Sequence, residues 1–352
     1  MTSTDWQECL KTLKDHAREA DEKPVWPAAS WQAVKSAGVL SWSIDAVHGG
    51  SNRDVVARLL GHEQLASACL TTAFILSQRD AAVRRIEASA NADLARELLS
   101  PLARGERFAT VGLSQLTTSR QHLQPALSAR AEGNAFVLDG VIPWVTGAAQ
   151  ADHFVIGAVM ESGKETLAVL PRAQTGVHVG PPLDLMALQG SMTAELRLDH
   201  VNLDQRWLLA GPSEQVLATV RSGPGGLETS CLALGLAGAA IDYLTREAVM
   251  RNDLCASADH LEQDRRRLRE ELHRLATVGG TAEDATALRT RANSLVLRAT
   301  QAALTVSKGT GFLRNHPAQR WARQALFFLV WSCPRTTTEA TLAHLAPAGP
   351  VD

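Results

Sequence analysis

The chain has 352 residues, of which 45 % are hydrophobic and 20 % are charged. That length is enough to bury a large core and predicts two or three domains. A formal net charge of −2, with dispersed lysines and arginines, excludes the basic surface typical of nucleic-acid-binding proteins.

Neither the apolar runs nor the N-terminal residues indicate a membrane protein. The longest apolar runs, near residues 231–241 and 325–331, are too short to span a bilayer. The N-terminal residues contain no apolar signal core and carry several acids. We therefore expect a soluble, cytoplasmic protein without a membrane span. Five widely spaced cysteines with no CxxC pair are typical of free thiols in a reducing compartment.

The first hundred residues carry a helical pattern. Apolar residues at helical spacing run through residues 54–77, and the only clear breaks are near Pro24, Pro27 and a His48-Gly49-Gly50-Ser51 turn. An oxyanion-hole loop would be an alternative for that turn, but no GxSxG nucleophile motif accompanies it. We predict an all-helical first domain in which the two glycines form a simple turn.

After Gly105 the hydrophobic period changes to that of strands. Short apolar segments alternate with turns of the Glu-Gly-Asn and Asp-Gly type, which predicts antiparallel hairpins in a small sheet or barrel. The predicted strands are 108–111, 127–131, 135–138, 154–160, 166–170 and 194–198.

From about Pro212 the pattern is helical again. The predicted helices are 225–251, about 258–276, about 281–308 and about 317–331. In the second of these, leucines form one stripe and Arg265, Arg266 and Arg267 lie on other faces, so we interpret the arginine run as a solvated surface.

The first of these helices carries the candidate catalytic residue, Glu228. Turn residues precede it, and a small-residue apolar segment with Gly235 and Gly238 follows it, which predicts a buried helix closely approached by its neighbours. A carboxylate at the buried end of such a helix is unusual. A plainer interpretation is that an acid in a first helical turn complements the helix dipole.

This segment resembles the first long helix of the C-terminal bundle of acyl-CoA dehydrogenases. In the isovaleryl-CoA and long-chain branch, the catalytic base precedes a Gly-x-x-Gly step by a fixed interval, and this relation falls on Glu228. Most of the family places its base instead in a Glu-Gly-Thr step, which matches Ser332 in this chain. Glu228 is therefore the only candidate base that the resemblance supplies, and we expect burial to raise its pKa.

The resemblance covers nearly the whole chain and implies the α+β fold of that family. It implies an N-terminal all-helical domain at 1–105, a middle β domain at 106–211 and a C-terminal four-helix bundle at 212–352.

Several residues fall on the family's flavin-binding motifs. Trp144 and Thr146, in a Trp-Val-Thr-Gly step, match the aromatic and the threonine that pack on the flavin ring. Ser114 and Ser119 keep hydroxyls in a loop that lines flavin and pantetheine, although that loop has lost its Glu-Pro and Gly-Ser-Asp residues. Thr229 replaces an arginine after the base and leaves a smaller, neutral neighbour for the substrate.

Two further matches concern the diphosphate of the cofactor. Arg251 falls on an arginine that meets the flavin diphosphate. Lys308, Gly309 and Gly311 fall on the loop that reaches the adenine diphosphate of a neighbouring subunit, with Lys308 in place of a glycine.

The resemblance thus implies a homodimeric or homotetrameric flavoprotein that binds FAD and dehydrogenates an acyl thioester at its α and β carbons. Coenzyme A or a carrier protein would hold the acyl group, and an electron-transfer flavoprotein or oxygen would accept the electrons. A two-component flavin monooxygenase and a non-catalytic scaffold of the same fold are the alternatives. Histidine spacing suggests no metal site.

Overall fold

The N-terminal part of the chain is helical. The computed structural model describes residues 3–117, 126–219, 227–333 and 335–346. Helix α3 begins after Asp54, whose carboxylate accepts hydrogen bonds from the backbone N–H groups of Val56 and Ala57. The helices of this part are α1 (Ser3–Glu22), α2 (Ala28–Ser36), α3 (Val55–Ala68), α4 (Leu70–Glu87) and α5 (Ala92–Ala103).

The predicted glycine turn lies between α2 and α3. Gly49 has φ of 78°, in the left-handed region, and closes a short 3₁₀ helix over Ala46–His48. At Gly50, a Cβ atom would lie 1.9 Å from the Ile44 carbonyl oxygen. Close backbone approach therefore requires glycine at this turn, as predicted.

The middle of the chain forms one mixed sheet in the order β6-β7-β3-β2-β4-β5-β8, with β1 beside β4. Most pairs are antiparallel, including the predicted hairpins β2–β3 and β4–β5, and β1 and β2 also run parallel to β4, which the sequence pattern did not indicate. The strands are β1 (Ala109–Gly112), β2 (Leu127–Glu132), β3 (Ala135–Val145), β4 (His153–Met160), β5 (Glu165–Pro171), β6 (Val177–Pro182), β7 (Ala194–Asp204) and β8 (Leu208–Ser213).

The C-terminal part is helical, as predicted, and adds one short helix, α12, that the sequence did not suggest. Its helices are α8 (Leu227–Ala248), α9 (Cys255–Val278), α10 (Ala282–Val306), α11 (Pro317–Phe327) and α12 (Arg335–Leu345). Two short helices, α6 (Ser114–Thr117) and α7 (Val216–Thr219), flank the sheet. Together with the sheet, these helices confirm the predicted α+β fold class.

Helix α8 is the central element of the helical core. It packs against α3 on one side and against α9 and α10 on the other, so the first and last parts of the chain share one hydrophobic core. Among the described helices, α8 has the length and hydropathy of a membrane span, yet 83 % of that stretch is buried inside the protein. The sheet has a second core, to which α5 contributes.

The predicted domain limits stay predictions. Strand β8 ends at Ser213, two residues after the expected limit at 211. All five cysteines are free: Cys9, Cys69 and Cys231 are buried, whereas Cys255 is exposed.

Candidate active site

Glu228 lies in the first turn of α8, where its carboxylate meets an arginine from the N-terminal helices. Arg84, near the end of α4, places Nη2 3.2 Å from Oε1 of Glu228. The Arg84 side chain is 16 % exposed and that of Glu228 is 25 % exposed, so this ion pair is mostly removed from solvent. The structure therefore holds Glu228 as a paired carboxylate at the start of a buried helix.

The expectation that burial raises the pKa of Glu228 is wrong. Burial does act to raise this pKa, but the charge of Arg84, the backbone N–H of Glu228 and the charges of Arg58 and His62 outweigh it. The net effect lowers the pKa of Glu228 below its ordinary value. Glu228 is therefore ionised at neutral pH, as a proton acceptor must be, but is a weaker base than expected.

A second carboxylate, that of the buried Asp80, lies on α4 one helical turn before Arg84. Asp80 accepts a 2.7 Å hydrogen bond from Nη1 of Arg79, and its other oxygen lies 3.4 Å from Nε2 of His62. Arg79 also donates to the Leu102 carbonyl oxygen. Burial raises the pKa of Asp80, but His62 and Arg79 outweigh it and hold that pKa far below its usual range. Asp80 is thus engaged by its own partners.

Trp144 and Thr146 lie where β3 ends. The Trp144 side chain is 49 % exposed and leaves an aromatic face open to solvent, whereas Thr146 is buried. The hydroxyl of Thr146 lies 3.2 Å from that of Thr193, which in turn lies 2.8 Å from that of Ser191. The Trp-Val-Thr-Gly step and the following loop at 188–195 therefore meet through a chain of buried hydroxyls.

The other residues of this region are only partly described. Ser114 opens the short helix α6 directly after β1. Ser119 lies outside the described residues, so its predicted role stays a prediction. Thr229 is buried beside Glu228 in α8.

Arg251 and the 308–312 loop come together at the far end of α8. Nη1 of Arg251 donates a 3.3 Å hydrogen bond to the Val306 carbonyl oxygen, two residues before Lys308. Residues Lys308–Phe312 form a 3₁₀ turn that contains Gly309 and Gly311, and Lys308 itself has φ of 52°. Two cations and a tight backbone turn are thus neighbours, which is a suitable arrangement for a diphosphate.

The predicted residues therefore form two separate groups along α8. Glu228 stands at the first turn and Arg251 follows the last, and a helix of 22 residues is roughly 33 Å long. These two groups lie too far apart to contact the same part of one small molecule.

The alternative base position contains no acid. Ser332 is exposed and has φ of 48°. The carbonyl oxygen of the preceding Trp331 accepts a hydrogen bond from Nη2 of the buried Arg289. The Trp331 ring stacks on Phe327 and meets Phe74 edge-on, so this turn is held by aromatic packing.

Two further features lie away from these groups. A cavity of about 500 Å³ opens on the N-terminal helices beside Ser36, Trp42 and Arg53. At the sheet surface, Nδ1 of His200 lies 3.0 Å from Asp199 and 3.1 Å from Asp139. The hydrogen bond to Asp199 and the charge of Asp139 raise the pKa of His200, so this cluster is a surface ion-pair group.

The sequence interpretation missed Arg84, the nearest charged partner of Glu228. The available signal was a run of charged residues, Arg84 and Arg85 among them, at the end of an otherwise apolar helix that contains Phe74, Ile75 and Leu76. Nothing in the local pattern indicated that these charges face a residue 144 positions later.

Comparisons with known proteins agree with the resemblance. Residues 7–106 match the model of the acyl-CoA dehydrogenase N-terminal domain. The probable acyl-CoA dehydrogenase YngJ of Bacillus subtilis is 23 % identical over 90 % of this chain and 88 % of its own. The mitochondrial short-chain specific acyl-CoA dehydrogenase of Mus musculus is 24 % identical over 90 % of this chain and 81 % of its own.

Solved structures share the whole fold. Butyryl-CoA dehydrogenase from Megasphaera elsdenii superposes with a TM-score of 0.83 at 19 % identity, covering 98 % of this chain and 99 % of its own. The prolyl acyl carrier protein oxidase AnaB gives a TM-score of 0.82 at 16 % identity, covering 99 % and 100 %. A chain described with the electron transferring flavoprotein of Acidaminococcus fermentans gives 0.84 at 18 % identity, covering 99 % of each. With the matched N-terminal domain and relatives aligned over nine tenths of its length, this chain is similar throughout to acyl-CoA dehydrogenases, at the low identity of a divergent relative.

Proposed function

We propose that this chain is an FAD-dependent oxidoreductase that forms the Cα–Cβ double bond of an acyl thioester, with Glu228 as the base. The observation that carries the proposal is the carboxylate of Glu228 at the start of the buried helix α8, ionised and held by Arg84. The related acyl-CoA dehydrogenases and the acyl carrier protein oxidase of the same fold support an acyl thioester as the substrate class.

Glu228 would remove the α-proton of the substrate. A proton beside a thioester carbonyl is only weakly acidic, so the base must be held close to it and the developing enolate oxygen needs hydrogen-bond donors. FAD, when bound, would accept the β-hydrogen together with its electron pair. The chain's own contribution is to position the carboxylate and to keep it ionised through Arg84.

Two groups of residues suit FAD, one where β3 ends and one at the C-terminal end of α8. The open face of Trp144 and the hydroxyl of Thr146 offer an aromatic wall and a polar contact for the flavin ring. Arg251 is 35 % exposed, with the exposed Asp253 3.7 Å from its Nη2, and Lys308 is exposed in the neighbouring turn, so a diphosphate could compete with Asp253 for Arg251 and contact both cations. In this proposal Ser114 and the loop after it line the ring, and Thr229 borders the acyl group.

The proposal extends to partners and compartment. The electron acceptor is an electron-transfer flavoprotein or oxygen, the assembly is a homodimer or homotetramer, and the compartment is the cytoplasm.

Anaerobic bleaching of the bound flavin tests the role of Glu228. Glutamine keeps the shape of glutamate but cannot accept the α-proton, so Glu228→Gln should slow flavin reduction by a cognate acyl thioester at least about a hundredfold. Glu247→Gln, on the same helix but near its other end, is the matched control and should reduce flavin at the wild-type rate.

Each contrary result has a distinct meaning. Equal bleaching rates in wild type and Glu228→Gln would remove Glu228 from the role of base. A flavoprotein that no thioester bleaches, but that turns over with reduced flavin and oxygen, would be the monooxygenase. A purified protein without a flavin absorbance band would be the scaffold.

A further inference from the structure

One of the two terminal nitrogens of the Arg84 guanidinium has no hydrogen-bond partner among the described residues. Its Nη2 pairs with Glu228, but its Nη1 is buried and makes no hydrogen bond with any residue of the described ranges. A buried N–H donor without a partner is costly, and for a charged group the cost is larger. The free half of Arg84 therefore marks a place where a ligand acceptor would be favourable.

The charges around Arg84 are out of balance. Arg85, the next residue, is mostly buried, and burial together with Arg84 lowers its pKa to about 10. Among the described residues, Arg85 donates to the Ala81 carbonyl oxygen, and Asp80 accepts from Arg79 and lies 3.4 Å from His62. Among the described carboxylates here, Asp80 feels the Arg84 charge but pairs with Arg79, and Glu228 pairs directly with Arg84. Three arginines, Arg79, Arg84 and Arg85, thus share two carboxylates, Asp80 and Glu228, which leaves a surplus positive charge beside the candidate base.

This surplus would favour a substrate that carries an anion of its own. An arginine presents a fork of N–H donors that matches a carboxylate in a bidentate geometry. Because Arg84 already contacts Glu228, a substrate carboxylate on Nη1 would lie on the same guanidinium as the base. It would also draw Arg84 away from Glu228, and Glu228 would then become a stronger base.

We propose that Arg84 binds the distal carboxylate of a short dicarboxylic acyl thioester and so selects that substrate class for the reaction at Glu228. This inference rests on the proposed function. The base must lie about 3–3.5 Å from the α-carbon, so the substrate carboxylate can be only about two or three bonds from that carbon, which corresponds to acyl groups of about four or five carbons.

The chemical step is unchanged by this choice. Glu228 would take the α-proton, FAD, when bound, would accept the β-hydrogen with its electron pair, and the double bond would form between the α and β carbons. The distal carboxylate is neither formed nor consumed. The product is an unsaturated dicarboxylic acyl thioester and one reduced flavin.

The first experiment compares thioesters of matched length. Succinyl and glutaryl pantetheine thioesters should bleach the flavin of the wild-type holoprotein with a kcat/KM at least about 10–100-fold above butyryl and valeryl pantetheine, the worth of hydrogen bonds to a charged group. Arg84→Gln should abolish that preference, measured as the ratio of kcat/KM between dicarboxylic and neutral thioesters within the same variant, so that a general loss of rate through Glu228 cancels. Arg84→Lys keeps the charge without the fork and should restore part of the preference. Arg96→Gln, at an exposed arginine on α5, is the control and should leave the preference intact.

A second experiment needs no turnover. Glutarate alone should raise the melting temperature of the wild-type holoprotein, and Arg84→Gln should lose that shift. Glu228→Gln removes the competing carboxylate, so it should bind glutarate roughly tenfold more tightly than wild type does.

The possible failures can be told apart. If neutral and dicarboxylic thioesters bleach wild type equally well, or if Arg84→Gln keeps the preference, the inference about Arg84 is wrong and the dehydrogenase function stands. If no thioester bleaches the flavin, the proposed function fails. Glutarate binding then tests the role of Arg84 independently of turnover. If glutarate raises the melting temperature of Arg84→Gln as much as that of wild type, the inference is also overturned.

Discussion

Arg84 determines how Glu228 behaves with pH. Burial alone would raise the pKa of this glutamate, and the net lowering comes chiefly from the Arg84 charge, with smaller contributions from Arg58 and His62. A group whose pKa is lowered in the folded protein stays ionised to a lower pH than in the unfolded chain. The Glu228–Arg84 interaction therefore stabilises the fold above the ordinary glutamate pKa, and that stabilisation is lost as pH falls through the folded-state value.

The same shift should appear in the pH profile of the reaction. In wild type, the acidic limb of kcat/KM for flavin reduction should fall below the ordinary glutamate range, since the base is lost only when Glu228 takes up a proton. Arg84→Gln removes the main lowering influence, so the limb should move to higher pH. Measuring kcat/KM against pH for wild type, Arg84→Gln and the surface control Arg96→Gln checks this. A limb that stays in place in Arg84→Gln would assign it to another group.

Single residues also show which features could be predicted from the sequence and which could not. The position of Glu228 could be predicted from its interval to Gly235 and Gly238. Its electrostatic state could not, because Arg84 comes from another helix and reaches Glu228 only in the folded chain. Arg265 is a similar case: the arginine run suggested a solvated face, but its side chain is 15 % exposed and pairs with the buried Glu63. Arg266 and Arg267, each 68 % exposed, do lie on the surface.

At the scale of the elements, the close packing of α8 on α3 depends on one glycine more than on the other. A Cβ atom at Gly235 would lie 2.3 Å from the Glu63 carbonyl oxygen, which belongs to the backbone of α3. At Gly238 the nearest atom is Nη1 of Arg265 at 3.1 Å, the flexible end of a long side chain. The two glycines were predicted to act alike, but only Gly235 faces rigid backbone.

Alanine at these two positions should therefore have opposite consequences. Gly235→Ala forces α8 and α3 apart and should lower the free energy of unfolding by about 1–3 kcal/mol, as overpacked cores do. Gly238→Ala gains the helix propensity of alanine, up to about 1 kcal/mol, against a small displacement of Arg265. Urea unfolding of both variants beside wild type measures the difference. Equal loss in the two variants would mean that Arg265 is as fixed as the α3 backbone.

The strands that the sequence did not predict share a physical cause. β6 and β8 are the two edge strands at the ends of the main strand order, and both contain glycine and proline, which are tolerated at edges but resemble turns in sequence.

β3 was expected to end at Leu138, where its pairing with β7 shifts register before Gly140. Such an irregularity interrupts the alternation of apolar and polar residues, so the pattern stops before the strand does. The parallel pairing of β1 and β2 with β4 leaves no pattern in the local sequence from which it could be predicted.

At the scale of the whole molecule, the candidate base Glu228 and the predicted diphosphate contact Arg251 lie at opposite ends of α8. A five-carbon ribityl chain, roughly 8 Å long at about 1.5 Å per bond, joins the ring of FAD to its diphosphate. That reach is much shorter than the length of α8, roughly 33 Å for its 22 residues. If Glu228 and Arg251 both serve FAD, they must serve two different molecules of it.

Exposed apolar residues lie at the Arg251 end of α8, where we propose a contact surface between chains. Met250 is 88 % exposed and Phe312 is 82 % exposed, beside Val249 and Leu313. Large apolar side chains open to solvent at one end of a bundle are typical of an interface between protein chains. In the homo-oligomer we propose, each FAD would contact Glu228 of one chain and Arg251 of its partner.

Mixing two inactive variants tests this arrangement directly. Glu228→Gln lacks the base and Arg251→Ala lacks a diphosphate contact, so each alone should show little thioester-dependent flavin reduction. In a mixed dimer of the two, one site carries both substitutions and the other carries neither. Since random mixing makes half of the dimers mixed, co-expression or joint refolding should recover roughly a quarter of wild-type activity.

The control pair, Glu228→Gln mixed with a Glu228→Gln, Arg251→Ala double variant, contains no intact site and should recover nothing. Activity that stays absent in the first mixture, with mixed dimers confirmed by mass, would show that Glu228 and Arg251 of the same chain act on one site, whereas an Arg251→Ala variant that is active by itself would show that Arg251 has no part in it. Met250→Asp and Phe312→Asp should prevent recovery by separating the chains, whereas Val278→Asp, equally exposed at 79 % on the end of α9, should not.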